Sequence, residues 1–285
     1  MGARDLAACL SDNNTLCILN VNSQYKQIGP EGAVHLARLL RMEYSSIQVL
    51  RVGGNAIGFD GCRHLASSLL VNTKLQELDL GGINYITIAG AKQIAQALLH
   101  NVSLSHITVG QVRLPVFDLR GVEYLVLETL GQRVPYPPSE IDLTKCMLEE
   151  YTESYEGMRD EMAIVAVTLM QKNTYLRHIK MSLDSDFIPV AMLNGTHPSC
   201  KTLDLSNKNY KGIDAIVIGG LMAQNRFLTE ICLEGNDFAG SEGENWIAYA
   251  LEHSQIRFDA SRWNVKQMYV DGYKTLASMR GLSVS

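Results

Sequence analysis

Two hydrophobic patterns alternate along most of the chain. In the first, large aliphatic residues occupy every second position over three residues, as in residues 50–52 and 78–80, and a period of two predicts a short β-strand. In the second, apolar residues recur at spacings of three and four, as in residues 61–72, 90–101 and 212–225, which predicts an amphipathic helix. Because one pattern follows the other, the sequence predicts a series of strand–helix units.

The units repeat at a nearly constant interval. Residues 47–52 align with residues 75–80 at an offset of 28, and residues 104–109 follow at a further offset of 29. Residues 228–236 repeat the arrangement late in the chain and end at Asn236, which completes the pattern L-x-x-L-x-L-x-x-N. This spacing is that of the leucine-rich repeat, in which each unit supplies one strand and one helix.

The aligned units predict the positions of the strands. They are Leu19–Val21, Leu50–Val52, Leu78–Leu80, Ile107–Val109, Ile141–Leu143, Ile179–Met181, Leu203–Leu205, Ile231–Leu233 and a further strand at Ile256–Phe258. At two places, LPV at residues 114–116 and IPV at residues 188–190, the pattern predicts a short turn instead of a long helix. The second half of the chain is therefore expected to alternate long units with short ones.

A single unit cannot bury its own apolar face, so its neighbours must cover it. Strands stack about 4.8 Å apart whereas packed helices need about 8–10 Å, and this difference bends the array. The sequence predicts one α/β domain: a curved leucine-rich-repeat solenoid, or horseshoe, with a parallel β-sheet on the concave face and helices on the convex face. We expect the solenoid over residues 1–252, with an N-terminal cap helix, and a C-terminal cap over residues 253–285.

The units resemble ribonuclease-inhibitor-like leucine-rich repeats over about residues 14–251. The stretch from residue 188 to 236, with the strings IPV, LNG, TLDLSNK, AIVIGGLMAQN and LTEICLEGN, resembles leucine-rich-repeat proteins of unicellular eukaryotes. The resemblance implies a binding scaffold with a protein partner, within a cytoskeletal, flagellar or other large assembly. It also leaves open a GTPase-activating or regulatory protein similar to the Ran regulator, although the chain ends MRGLSVS and not in the acidic tail typical of that family.

Composition removes several classes of function. The chain has 25 Lys and Arg against 30 Asp and Glu, which argues against a nucleic-acid partner because phosphate binding needs a local excess of basic residues. No apolar run approaches the length of a membrane span. The six cysteines form no C-x-x-C pair and are expected to be reduced core thiols of a cytoplasmic protein. With no motif for a nucleophile, phosphate loop or metal, the sequence predicts no catalytic residue, cofactor or metal, and no enzyme.

The strand pattern itself indicates where a partner would bind. In L-x-L the middle residue points away from the core, and polar side chains recur at this position and beside it. The candidate partner-binding residues on this inner face are Arg51, Asp79, Thr108, Asp142, Lys180, Asp204, Glu230 and Glu234. The alternative is an ordinary solvated sheet face.

One inserted segment holds most of the net charge. Residues 139–161 contain eight acids and two bases, and the acidic insertion itself is placed at about residues 144–161. It also carries Tyr151 and Tyr155, which make it a second candidate contact for a partner. The alternative, equally compatible with the sequence, is a solvent-exposed loop that projects from the solenoid.

Overall fold

The computed structural model describes residues 2–22, 27–82, 84–121, 137–146, 159–238 and 241–257. The chain divides into two compact units. The first unit is Met1–Pro137 with Lys145–Leu169, and the second is Pro138–Thr144 with Met170–Ser285. A single solenoid over residues 1–252 and a separate C-terminal cap stay predictions, and residues 258–285 of that cap lie outside the described part.

The first unit consists of short strands and longer helices in alternation. Its elements are α1 (Gly2–Cys9), β1 (Ile18–Asn20), α2 (Gly29–Leu40), β2 (Val49–Arg51), α3 (Gly58–Leu69), β3 (Glu77–Gly81), α4 (Ile88–Leu98), β4 (His106–Gly110), β5 (Val112–Pro115), α5 (Val116–Arg120) and α6 (Arg159–Met170), whose last residue belongs to the second unit. The alternation confirms the predicted strand–helix repeat for this part of the chain.

Strands β1 to β4 pair in parallel and in sequence order, and helices α1 to α4 pack on one another in the same order. The register places Leu19, Leu50, Leu78 and Ile107 side by side, and all four are buried. Equivalent residues of successive units therefore share one continuous apolar interior, as the repeat requires.

The fifth strand reverses direction. Strands β4 and β5 pair antiparallel, with Val109 opposite Val112, so Gly110 and the residue after it form a two-residue hairpin turn. Gly110 has φ +63°, a conformation that glycine adopts without the steric cost of a side chain. The predicted turn at residues 114–116 is therefore wrong, because Leu114 and Pro115 end a strand and Val116 begins α5.

The described residues of the second unit contain five strands in two sheets. Its elements are β6 (Glu140–Asp142), a 3₁₀ turn (Leu143–Cys146) that runs into the first unit, β7 (His178–Lys180), β8 (Ile188–Pro189), α7 (Val190–Leu193), β9 (Thr202–Asp204), α8 (Gly212–Met222), β10 (Glu230–Cys232) and α9 (Glu242–His253). Strand β6 pairs parallel with β7, β7 pairs antiparallel with β8, and β9 pairs parallel with β10. Arg257 adds an isolated parallel bridge to Glu230, at the place of the last predicted strand.

Parallel pairing is confirmed, but the strands do not form one sheet among the described residues. Leu78 lies in the five-stranded sheet and Leu203 in the two-stranded one. Strand β5 ends the five-stranded sheet and strand β8 ends the three-stranded sheet. Each of these antiparallel strands occupies the edge at which the next parallel strand would pair. Residues 188–190 were predicted as a turn, and here too a strand leads into a short helix.

Helices α6 and α8 are not amphipathic. Every residue from Met162 to Met170 is buried, and ten of the eleven residues of α8 are buried. A helix that is covered on all sides is apolar on all sides, so the amphipathic pattern predicted for residues 212–225 is wrong.

Only one of the six free cysteines is a core thiol. Cys62 is buried and burial raises its pKa to about 12, whereas Cys9 and Cys17 are exposed and the other three are half-buried. The expectation that most of the cysteines lie in the core is therefore wrong.

Buried asparagines form hydrogen bonds between neighbouring repeats of the five-stranded sheet. The Nδ2 group of Asn55 donates to the carbonyl oxygens of Val21 and Val52, and that of Asn84 donates to those of Val52 and Gly81. The backbone N–H of Asn55 donates to Oδ1 of Asn84 at 2.8 Å. Both asparagines are fully buried, so these bonds satisfy backbone groups that water does not reach.

A second set of asparagines closes the helix ends. Nδ2 of Asn72 donates to the carbonyl oxygen of Leu40, and Nδ2 of Asn101 donates to that of Leu69, both at 2.7 Å. Helices leave their last carbonyls without partners, and here the following repeat supplies the donor. The turns that connect helix to strand are thereby held at fixed positions.

Asp214 fixes the loop after β7 to helix α8 in the second unit. Its buried carboxylate accepts hydrogen bonds from the hydroxyls of Ser182 at 3.0 Å and Ser185 at 3.3 Å, and from the backbone N–H of Lys211 at 2.8 Å. Burial raises the pKa of Asp214 to about 6 in spite of these bonds, which lower it. The loop and the start of α8 therefore depend on one carboxyl group.

Candidate protein-binding faces

The open face of the first sheet carries two rows of outward side chains. Strand register places the first row as Asn20, Arg51, Asp79, Thr108 and Arg113, and the second row as Ile18, Val49, Glu77, His106 and Pro115. Three residues predicted for partner binding, Arg51, Asp79 and Thr108, are thus brought into one line. Alternation of buried and outward positions follows directly from the pleat of the strands.

Strand β5 changes what this face presents at one end. Arg113 lies opposite Thr108 and forms an ion pair with Glu77, with Nη2 and Oε1 2.6 Å apart. Thr108 is only 5% exposed, so it offers little surface to a partner. Burial, and to a smaller extent the charge of nearby Arg113, lower the pKa of His106. The charges at this end of the face are therefore those of the Arg113–Glu77 ion pair.

Asp79 has a structural role on this face. Its Oδ1 accepts the backbone N–H of Gly81 at 2.8 Å, and its Oδ2 accepts from Nδ2 of Asn22 at 3.3 Å. Asn22 in turn accepts the N–H of Gly53 at 2.6 Å. Arg51 lies opposite Asp79 in the register and is exposed. Among the charged residues here, Arg51 has the side chain most available to a partner.

Charges on strands β6 and β7 face each other. Asp142 lies opposite Lys180, and Glu140 lies opposite His178, with 4.0 Å between the carboxylate and Nδ1. Opposite charges in register on neighbouring strands stabilise the pair modestly. The register places the predicted residues Asp142 and Lys180 opposite each other, and Oδ1 of Asp142 accepts hydrogen bonds from the hydroxyl and the backbone N–H of Thr144.

The two-stranded sheet of the second unit is predominantly acidic on its outward side. Asp204, Glu230 and Glu234 are exposed. Two bases of the described residues lie at this sheet: Arg257 opposite Glu230 in the strand register, and exposed Lys201 directly before β9. Asp204 lies opposite Cys232. Hydrogen bonds from the hydroxyl and the backbone N–H of Ser206 lower the pKa of Asp204, so this carboxylate stays ionised.

The structure does not describe the two tyrosines predicted as partner contacts in the insertion. Tyr151 and Tyr155, with most of residues 144–161, are outside the described residues. Glu161, at the described end of the insertion, lies in the first turn of helix α6, and burial raises its pKa. Nothing in the described part places the insertion beside the strand faces.

Sequence reasoning missed Arg113, which forms an ion pair with Glu77 on the first strand face. Its position depends on β5, whereas the sequence predicts a turn at residues 114–116 and no strand directly before it. The available signal was the string VGQV at residues 109–112, since glycine at the first position of a two-residue loop between apolar residues is typical of a hairpin. The pairing then brings Arg113 within reach of β3.

The described residues contain no group of three or more His, Cys, Asp or Glu that could hold a metal ion. None of the described helices combines the length and the apolar character needed to cross a bilayer. The chemistry of the described faces is therefore that of charged and hydrogen-bonding side chains on short strands.

Comparison with known proteins adds little to this description. No family model matches the chain, and no curated protein matches it. Among solved structures, the chain is similar to one described as Leiomodin-1 Actin-Binding Site 2, with 15% sequence identity and a TM-score of 0.38 over 63% of this chain and 79% of the other. None of the conclusions below depends on this likeness.

Proposed function

We propose that this chain is a non-enzymatic protein-interaction scaffold of the ribonuclease-inhibitor-like leucine-rich-repeat type. The repeats build one curved solenoid, and its strand faces and rim bind a partner protein in the cytoplasm, within a cytoskeletal, flagellar or other large assembly. The observation that carries the proposal is the in-register row of outward polar side chains on parallel strands, above a continuous buried interior.

A rigid surface suits this function. The strands are short, and buried asparagines such as Asn55 and Asn84 bond to the backbone on both sides of each turn. Binding to a surface that is already ordered loses little conformational entropy, so more of the contact energy appears as affinity. The face therefore presents its charges at fixed positions to groups of opposite charge on the partner.

Exposed charge indicates which positions contact the partner first. Asp142 and Lys180 oppose each other, and Asp79 holds a turn, whereas Arg51 in the first unit and Asp204 and Glu234 in the second unit are exposed. Exposed charges steer association and select complementary partners. We therefore expect basic groups of a partner at the β9–β10 face.

The test is capture from a cell extract with the immobilised full chain, followed by mass spectrometry. The variant carries Asp204→Asn, Glu230→Gln and Glu234→Gln, which remove charge and keep the shape and hydrogen-bonding oxygens. Glu252→Gln, on the exposed side of α9, is the matched control. We expect one discrete partner with wild type and control, and its loss with the triple variant.

The same samples are compared by thermal melting, which we expect to be nearly unchanged because all three acids are exposed. Capture that survives the triple variant would contradict binding at the β9–β10 face. Capture by none of the proteins would contradict a stable scaffold role. A change of Asp79 is less suitable as a test, since its hydrogen bonds to Gly81 and Asn22 would be lost as well.

A further inference from the structure

Exposed large apolar side chains collect along one edge of the first unit. They lie on the three consecutive turns that follow helices α2, α3 and α4, and each is 36–68% exposed. The set, named the apolar rim, consists of Met42, Tyr44, Leu70, Val71 and Val102. Single exposed apolar residues are ordinary, but a contiguous patch of them marks an interaction surface.

Hydrogen bonds between the turns place these residues side by side. Nδ2 of Asn72 donates to the carbonyl oxygen of Leu40, and Nζ of Lys74 donates to that of Glu43 at 2.8 Å, which joins the second turn to the first. Nδ2 of Asn101 donates to the carbonyl oxygen of Asn72 at 2.9 Å, which joins the third turn to the second. The apolar rim is therefore a strip across three adjacent repeats.

Carbonyl groups at the C-terminal ends of the helices at this edge accept side-chain hydrogen bonds. The last-turn carbonyls of α2, α3 and α4 accept side-chain hydrogen bonds from Asn72, Asn101 and Arg120 respectively. A helix C-terminus ordinarily carries partial negative charge on unsatisfied carbonyl groups, and these donors reduce it. The electrostatic character of the rim is then decided by ionised side chains.

Those side chains are mostly basic. Arg38, Arg41 and Lys74 are exposed around the apolar rim, and Glu43 is the one acid in residues 38–44, 70–74 and 99–103. These stretches carry a net charge of +2 within a chain of net charge −5. Asp12, on the turn after α1, lies outside them. The apolar strip is therefore bordered by positive charge.

We propose that the apolar rim binds an acidic amphipathic peptide segment of a partner protein. The apolar side chains of that segment cover Leu70, Val71 and their neighbours, and its carboxylates lie against Arg41 and Lys74. Apolar contact supplies most of the affinity, and charge selects an acidic segment over a basic one. This site is separate from the strand faces and rests on the rim contact of the proposed function, which it specifies.

The test uses the full chain and two labelled synthetic peptides of equal length in fluorescence anisotropy. Both carry leucine at helical spacing, with glutamate at the remaining charged positions of one and lysine at those of the other. We expect the acidic peptide to bind at least ten-fold more tightly than the basic one, and more weakly as salt rises. Leu70→Ser with Val71→Ser should weaken it about ten-fold, and Arg41→Glu with Lys74→Glu should reverse the preference.

Leu183→Ser is the matched control, because Leu183 is more exposed than Leu70 and Val71 but lies in the second unit, and we expect no change. The strand-face triple variant should also bind the acidic peptide normally, which separates this proposal from the previous one. Equal binding of both peptides, binding of neither, or an equal loss with Leu183→Ser would overturn the proposal. Sedimentation velocity that shows a dimer lost on changing Leu70 and Val71, without peptide binding, would assign the rim to a second copy and also overturn it.

Discussion

Removal of one buried asparagine tests how the repeats are held together. Asn84→Ala deletes two bonds from Nδ2, to the carbonyl oxygens of Val52 and Gly81, and the acceptor of the Asn55 N–H. Both carbonyls keep another donor, since Val52 accepts from Asn55 and Gly81 accepts from Gly54. The Asn55 N–H is left buried without an acceptor, which costs about 1–3 kcal/mol, and each lost bond adds about 1 kcal/mol. We expect a total loss of about 3–5 kcal/mol in the free energy of unfolding.

The isosteric change Asn84→Asp adds a pH dependence of known sign. One carboxyl oxygen still accepts from the Asn55 N–H, but the other faces two carbonyl oxygens, and only a protonated carboxyl can donate to them. Burial and these carbonyls raise the pKa of the new group in the folded state above its unfolded value of about 3.9. A protonated carboxyl has one hydrogen for the two carbonyls, so a cost of one lost hydrogen bond remains at every pH. The additional cost of ionisation is absent below about pH 4 and grows as the pH rises towards the folded pKa. Asn84→Asp should be more destabilised at pH 7 than at pH 4.

Urea unfolding followed by circular dichroism measures both variants, and hydrogen exchange of the Asn55 amide gives a local readout. Asn14→Ala, which truncates an exposed asparagine of the same unit, is the control, with an expected change below about 0.5 kcal/mol. A cost below about 1 kcal/mol for Asn84→Ala, or an Asn55 amide that stays protected, would refute the reasoning.

Three further changes probe other parts of the fold. Burial raises the pKa of Asp214 to about 6. The neutral carboxyl therefore contributes about 3 kcal/mol of stability, which is fully present below about pH 4 and is lost as the pH rises to about 6. Asp214→Asn should flatten the dependence of stability on pH between these values, and a dependence parallel to that of the wild type would contradict this. A Cβ at Gly219 would lie 2.5 Å from the carbonyl carbon of Trp246, so Gly219→Ala should cost about 1–3 kcal/mol in thermal melting, while Gly2→Ala, with open space around it, should cost little. Gly110→Ala places a side chain at φ +63° and should cost about 1–2 kcal/mol in urea unfolding; an unchanged midpoint would argue against the hairpin turn.

The strand centres were predictable because the leucine pattern reports burial directly. Leu50, Leu78 and Leu203 lie in strands as expected, since alternate residues of a strand must face the interior. The eight parallel strands, all of them predicted, each begin one residue earlier than predicted, as at Val49 and Thr202. Backbone pairing extends to residues whose side chains point outward, and the apolar pattern does not mark them.

Properties that depend on a distant element were not predictable. Thr108 is buried because β5 returns beside it, and that return depends on the turn at Gly110. The complete burial of α8 depends on what surrounds it, which a local pattern does not report. For the candidate site, the pattern located the outward positions, but the hydrogen bonds that commit Asp79 to its own turn required the fold.

The central claim is that a partner binds the outward strand face, and position-specific photo-crosslinking in cells tests it most directly. A benzophenone amino acid replaces Glu234 beside β10 in one protein and Glu252 on α9 in the other, since both positions are exposed. Irradiation should give one discrete adduct from position 234 and none of the same mass from position 252. The same adduct from both positions, or from position 252 alone, would contradict the account.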